Sequence, residues 1–489
     1  MSTLKICLVS SEIAPFAKTG GLADVSEAFG RYLSAQHHDI RLIMPFYAAI
    51  DTRNYQFYPV EYALNCEIQM GSKHYTYHMY TTQLPGTDAA VYLVHCPELY
   101  ARPSLYTNDA DEPIRFALLN RAAIELCQRM NWAPHIFHLN DWQTALIPVY
   151  LKTLYSWDGL FHNTKTLLTI HNIGYQGSFG ADVINDLGLN TYYTYFDASD
   201  LYHGRLNFLR TGIRHAHKLS TVSETYAREI QTADYGEGLH KDLQNRSEDL
   251  VGILNGVDYQ QWDPQKDNLI PYTYSVHNLR GKNLNKRFLL KKMGLSYDRS
   301  IPVIGMITRL AEQKGIALLR GTLELILAQY NVRFIVLGAG EESYEQFLHY
   351  IQSSFPEKAV FFKGYDYPLS HLIEAGSDIF VMPSKYEPCG LNQIYSLKYG
   401  TIPVVRKTGG LADTVQPYDW RTGQGTGFVF EHYTQSGLQW ALEYALSTYA
   451  HKNVWKKLIR RAMLQNFSWE EQIHKYVELY TRMLPGKIK

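Results

Sequence analysis

Residues 18–25 read Lys-Thr-Gly-Gly-Leu-Ala-Asp-Val, and residues 407–415 read Lys-Thr-Gly-Gly-Leu-Ala-Asp-Thr-Val. Only the inserted Thr414 separates the two stretches, which lie in opposite halves of the chain. The match is too long for easy coincidence and too short for a solenoid repeat. It reads as one turn-to-helix element carried by each of two similar domains. Around both copies, short apolar runs alternate with helix-like stretches. Strands are expected at 5–10, 40–44, 91–94, 136–139, 166–170, 219–222 and 250–254 in the first half. In the second half they fall at 303–307, 333–337, 359–362, 379–382, 403–405 and 427–430. Near-continuous Val, Ile and Leu mark strands buried on both faces, and interleaved helices make the sheets parallel with right-handed crossovers. The fold class is therefore α/β, with two Rossmann-like domains facing across a cleft. Residues 320–329 and 437–448 read as amphipathic helices, and 469–483 as a last one. Between Asp258 and Leu284 the pattern fades, which divides the chain into domains 1–260 and 261–468 plus a terminal helix in 469–489. A mobile hinge is expected near 258–264.

The totals narrow the function. Lys+Arg and Asp+Glu are both 47 among 489 residues, so no global field draws the chain to nucleic acid or an anionic membrane. An anionic ligand must be held by a local cluster. Five cysteines without CxxC spacing argue against a disulfide framework or a zinc site, and no metal-ligand set is visible. Met1 runs into the short apolar stretch Ile6-Cys7-Leu8-Val9 without a signal-type segment, and no run approaches membrane-spanning length. A soluble cytoplasmic protein is expected.

In open parallel sheets ligands sit beyond the carboxyl ends of the strands, and the unusual polar residues gather there. Ser10-Ser11-Glu12 follows the first strand, ahead of Lys18 and the Gly20-Gly21 pair at a helix start, where backbone N–H groups can meet a phosphate. Asp141 follows one strand and His171 another, placed to orient hydroxyls or a reacting centre; singly, a helix cap and a buried histidine account for them. Asn255-Gly256 suits a plain turn equally well. Arg309 and Lys314, leaving the strand at 303–307 ahead of Gly315, can clamp a diphosphate as a fork and a point charge, or simply form a solvated loop. Glu387 stands between a strand and a Gly-Leu helix start. Each has an ordinary explanation alone; their common placement at strand ends does not. No GxSxG, P-loop, HExxH or kinase pattern occurs.

Taken together these segments resemble the glycogen and starch synthases. The likeness rests on KTGGLADV (18–25), HLNDWQTAL (138–146), TIHNIGYQG (169–177), GILNGVD (252–258), TRLAEQKG (308–315), SKYEPCGLNQIYSLKYGTIPVV (384–405) and KTGGLADTV (407–415), in family order over nearly the whole chain. The resemblance implies a GT-B fold whose terminal helix crosses back to the N-terminal domain. It also implies retaining transfer of glucose from ADP-glucose to the non-reducing end of an α-1,4-glucan, without a cofactor. Lys18, Gly20 and Gly21 would then meet the sugar diphosphate, with Arg309 and Lys314 on it as well. Glu387 would bind the donor glucose, lined by Cys389 and Gly390, while Asp141, His171 and Asn255 would surround the transferring glucose and acceptor. Tyr365 would stack on adenine. Glu387, His171, Asp141 and Lys18 are thus the expected catalytic set. A same-face displacement and a covalent intermediate on a carboxylate both remain open. Ala23, Gln143 and Asn392 depart from the Gly, His and Thr found in many relatives.

Overall fold

The computed structural model describes residues 3–484; residues 1–2 and 485–489, assigned above to the first domain and the terminal helix, lie outside the described residues. The chain forms two compact units. Among the described residues, one comprises 3–222, Ala227–Ile253 and 469–484, the other Ser223–Tyr226 and Leu254–Ser468.

The first unit is built on a ten-stranded sheet. Its strands are β1 (Lys5–Val9), β2 (Asp39–Pro45), β3 (Tyr58–Pro59), β4 (Cys66–Met70), β5 (Lys73–Gln83), β6 (Ala90–His95), β7 (Ile136–Asn140), β8 (Lys165–Ile170), β9 (Lys218–Thr221) and β10 (Leu250–Gly252). The order is β10-β9-β8-β7-β1-β2-β6-β5-β3, with β4 paired to β5. The apolar runs form the parallel part, and β1 is buried from Ile6 to Val9 because sheet neighbours and helices cover it on every side. The antiparallel extension β3–β5 has no counterpart in the sequence reading. Its strands alternate, as in the buried-exposed pattern of Cys66–Met70, and so lack the continuous apolar signature of the rest. Helix α1 (Gly21–Ala35) follows β1, and α2 (Glu112–Arg129) precedes β7.

The C-terminal helix Trp469–Met483 completes this unit's core. Tyr476 packs edge-on against Phe29 of α1, and the Tyr480 hydroxyl lies 2.7 Å from Nδ1 of the buried His138, whose Nε2 meets Thr169 Oγ1 at 2.7 Å. Burial holds the His138 imidazole neutral by lowering its pKa to about 3.

The second unit has a six-stranded parallel sheet: β11 (Val303–Leu310), β12 (Arg333–Gly340), β13 (Ala359–Lys363), β14 (Ile379–Met382), β15 (Ile402–Arg406) and β16 (Phe428–Phe430). Their order is β13-β12-β11-β14-β15-β16. Helices α3 (Asn392–Tyr399), α4 (Gly409–Thr414) and α5 (Gln435–Ala450) follow β14, β15 and β16 in turn. The helix expected at 320–329 extends over Ile316–Gln329 but breaks at Arg320–Gly321, where Gly321 has φ +75°. The units divide between Ile253 and Leu254, several residues before the boundary read from the sequence. The reason is Trp262, which is sandwiched between His371 (3.7 Å) and Tyr395 (3.9 Å) and so ties the supposed linker into the second core.

Candidate active site

In the first unit, the polar residues at the strand ends are held by one another. The Asp141 backbone, just past β7, has φ +56° and ψ −170°, a region nearly reserved for glycine that costs on the order of 1–3 kcal/mol. What keeps it there is a set of bonds to the neighbouring strand. Its N–H donates to Thr169 O, and its Oδ1 accepts from the His171 N–H at 2.7 Å. Burial pushes the Asp141 carboxyl up to about 7, against the downward pull of the His171 and Asn172 N–H groups. His171 places Nε2 2.9 Å from Asn140 Oδ1, while Asn140 Nδ2 donates to Val9 O. This network puts the proton on Nε2 and leaves Nδ1 as the acceptor nitrogen. Burial lowers the His171 pKa to about 3, so the ring is a neutral hydrogen-bonding group and not a cation.

Lys18 is exposed and pairs with Asp24 at 2.6 Å, one turn into α1. The loop that carries it is anchored by a residue the sequence reading noted without a role. Glu12 is buried, and its carboxylate accepts from Thr19 N (2.5 Å), Thr19 Oγ1 (2.5 Å), Gly20 N (3.2 Å) and the Tyr106 hydroxyl (2.6 Å). Its position after β1 was visible, but its task depends on the loop folding back onto it. A Cβ at Gly20 or Gly21 would meet nothing within 4 Å. Those glycines are thus not demanded by packing; they leave the backbone at the α1 N-terminus open.

In the second unit, the loops after β11 and β14 meet. Lys314 Nζ lies 2.7 Å from Glu387 Oε2, and Ser384 Oγ donates to the same oxygen at 3.1 Å. Glu387 is 6% exposed, so this is a shielded pair. Gly315, at φ +72°, is required here because a Cβ would stand 1.9 Å from Pro383 O. Arg309 is exposed and has no ion-pair partner among the described residues. Cys389 is buried and its thiol is pushed up to about 12 by burial, which keeps it protonated and excludes it as a nucleophile at neutral pH. The Asn255 N–H approaches that sulfur, while Asn255 Oδ1 is buried without a partner among the described residues. Gln143 Oε1 of the first unit is in the same condition. Both are acceptors whose burial is uncompensated. Asn392 donates to Ile307 O at 2.8 Å, tying α3 to β11. Tyr365 stands 75% exposed on the loop after β13, away from the Lys314–Glu387 pair in sequence and on another strand end.

The repeated Lys-Thr-Gly-Gly element has a different use in its second copy. A Cβ on Gly409 would come within 2.0 Å of Glu387 O, and one on Gly410 within 2.1 Å of Cys389 O. The Gly410 N–H donates to the Glu387 and Pro388 carbonyls at 3.1 Å. This second glycine pair is a backing for the Glu387 loop. Lys407 pairs with Glu431, and Asp413 accepts from the Thr225 N–H and hydroxyl. Among the described residues no group of three or more His, Cys, Asp or Glu side chains is placed to hold a metal ion.

Residues 5–245 match the model of the starch synthase catalytic domain, and residues 297–462 that of glycosyl transferases group 1. The glycogen synthase of Thermosipho melanesiensis is 42% identical over 99% of this chain and 100% of its own. Glycogen synthase 1 of Geobacter metallireducens is 40% identical over 100% and 98%. The chain belongs to the glycogen and starch synthase family. Among solved structures, the catalytic domain of starch synthase IV from Arabidopsis thaliana, bound to ADP and acarbose, superposes with a TM-score of 0.90 at 33% identity over 99% of this chain and 100% of that one. Sucrose-phosphate synthase from Thermosynechococcus elongatus, at 15% identity and TM-score 0.60, shares the fold. The expected GT-B architecture is therefore this chain's fold, and a glycogen synthase-type glycosyltransferase is its enzyme class. No helix among the described residues is long and apolar enough to cross a membrane.

Proposed function

We propose that this synthase transfers glucose from ADP-glucose to the non-reducing 4-hydroxyl of an α-1,4-glucan, with retention of the α configuration. The observation that carries the reading is the shielded Lys314–Glu387 pair at the carboxyl ends of the second sheet, together with an exposed Arg309 near the end of β11 that has no ion-pair partner among the described residues. Arg309 and Lys314 hold the donor diphosphate, where their charge offsets the charge that develops on departing ADP. Glu387, with one oxygen committed to Lys314 and Ser384, offers its other oxygen to the donor glucose, in a wall shared with Cys389 and Gly390. Lys18 receives phosphate oxygens, and the uncrowded Gly20-Gly21 turn lets them approach the α1 N-terminus, the Gly20 N–H being bonded to Glu12. Asp141, neutral His171 and the Asn255 amide oxygen, which has no partner among the described residues, take hydroxyls of the transferring glucose and the acceptor, and Tyr365 stacks on adenine.

For the chemical step, a same-face displacement suits these groups better than a covalent intermediate. Cys389 stays protonated, Glu387 has one oxygen tied to Lys314 and Ser384, and burial raises the Asp141 carboxyl to about 7. The acceptor proton passes to the leaving phosphate as the glucosyl bond forms. Written this way the reaction calls on no cofactor, and the partners are the nucleotide sugar and the glucan.

The test is glucose incorporation into glycogen from ADP-glucose and UDP-glucose in parallel, for wild type and Glu387→Ala. A marked ADP-glucose preference, with the variant down by about 10² or more, is expected. Transfer by wild type from neither donor, with glycogen still bound, would show a glucan-binding relative and sink the assignment.

A further inference from the structure

Three of the eight tryptophans are mostly exposed, and two of them flank Tyr444 on the second unit: Trp420 at 70%, with the Arg421 guanidinium over its ring, and Trp440 at 54%. Tyr444 joins them. Its hydroxyl accepts from the Trp420 N–H at 3.2 Å and donates to Tyr418 O, and its ring lies 5.7 Å from that of Trp440. The support is stiff. Asp419 closes the loop beneath Trp420 through Arg421 N (2.9 Å), Thr422 Oγ1 (3.2 Å) and a backbone bond from Gly423 N to its carbonyl (2.7 Å). Trp440 sits on α5, whose opposite face is buried in the core. This loop enters β16 from the amino ends of the parallel sheet, whereas Arg309, Lys314 and Glu387 stand at the carboxyl ends.

We propose that Trp420, Trp440 and Tyr444 form a second α-glucan-binding site, distinct from the transfer site. The idea rests on the reading that a glucan is the acceptor. The C–H faces of pyranose rings complement the electron-rich faces of indoles. The size of the patch selects this occupant. The two exposed indoles offer roughly 300 Å², far below the ≈ 800 Å² per partner of a stable protein interface, but enough for two or three sugar rings. A polymer bound here stays near the enzyme between transfers, raising the effective concentration of its chain ends.

The experiment uses the full chain and the double variant Trp420→Ala/Trp440→Ala, with Trp157→Ala as a control, since Trp157 is 75% exposed on the first unit. Mobility in glycogen-containing native gels reads binding, and transfer to maltotetraose reads the transfer site. Expected are about tenfold weaker retention by glycogen and a similarly raised KM for glycogen. Maltotetraose kinetics should stay unchanged, as should the control. Single Trp→Tyr variants, which keep an aromatic face, should retain most of the binding. Unchanged retention of the double variant overturns the proposal, as does equal loss in the Tyr variants or in Trp157→Ala. A shift in sedimentation instead of glycogen retention overturns it in favour of contact between copies. Because the gel reads binding alone, failure of wild type to use ADP-glucose would sink the proposed donor and leave this result legible.

Discussion

Gly21 and Gly410 occupy the same place in the two copies of one sequence, yet their surroundings differ. At Gly21, the first residue of α1, a methyl group would meet open space. At Gly410 it would collide with the backbone of Cys389, 2.1 Å from the oxygen and 2.5 Å from Cα. Backbone cannot swing aside as a side chain can, so Gly410→Ala should destabilise the second unit by about 3 kcal/mol or more and abolish activity by displacing Glu387. Gly21→Ala should leave the urea midpoint unchanged or slightly raised, because alanine is the better helix former. Its KM for the donor should nonetheless rise, since the methyl stands where a phosphate would approach. Urea titration with donor kinetics on both variants checks the contrast; a normal KM for Gly21→Ala would remove the phosphate role from that loop.

At the scale of elements, two helices of the second unit share a buried acid. Glu374, in the helix Tyr367–Gly376, is fully buried, with Oε2 accepting from Ser396 of α3 at 2.7 Å and Oε1 without a partner among the described residues. Burial raises its pKa to about 8. Below pH 8 the folded chain therefore holds a proton that the unfolded chain releases near its ordinary pKa of 4.5. Between pH 5 and 7 the native state binds more protons than the unfolded one, so this group makes stability fall as pH rises. The buried Lys282, lowered by burial to about 7, is charged in both states through most of that window and does not offset it. Wild type should lose about 2–3 kcal/mol from this source between pH 5 and 7, and Glu374→Gln should remove the loss. Urea midpoints at the two pH values measure it, and parallel curves for the two proteins would refute the assignment.

For the whole molecule, the chain end matters more than its position suggests. Trp469, Ile473, Tyr476 and Tyr480 are nearly or wholly buried in the first unit, although more than two hundred residues of the second unit intervene. At roughly 2 kcal/mol for each buried side chain, removing them exceeds the margin of an ordinary domain. A chain ending at Ser468 should therefore lose the cooperative melt of the first unit, whereas the Tyr480→Phe variant, which keeps the ring, should lose only about 1 kcal/mol with its bond to His138. Calorimetry distinguishes these outcomes, and an intact melt in the truncated chain would contradict the packing.

Local chemistry determined much of this molecule. The thirteen apolar runs read from the sequence all lie on parallel strands, because a strand covered on both faces must be apolar along its length. Lys18, Asp141, His171, Arg309, Lys314 and Glu387 were also legible, since a polar group following such a run has to emerge at a strand end. What the sequence did not contain was partnership. Nothing local marks Glu12 as the anchor of a loop seven residues on, Trp262 as part of the second core, or Asp141 as strained backbone held by a neighbouring strand. Nor does it distinguish two copies of Lys-Thr-Gly-Gly, one facing open space and one pressed on Cys389. Those properties belong to which segment lies against which, and long-range packing alone decides that.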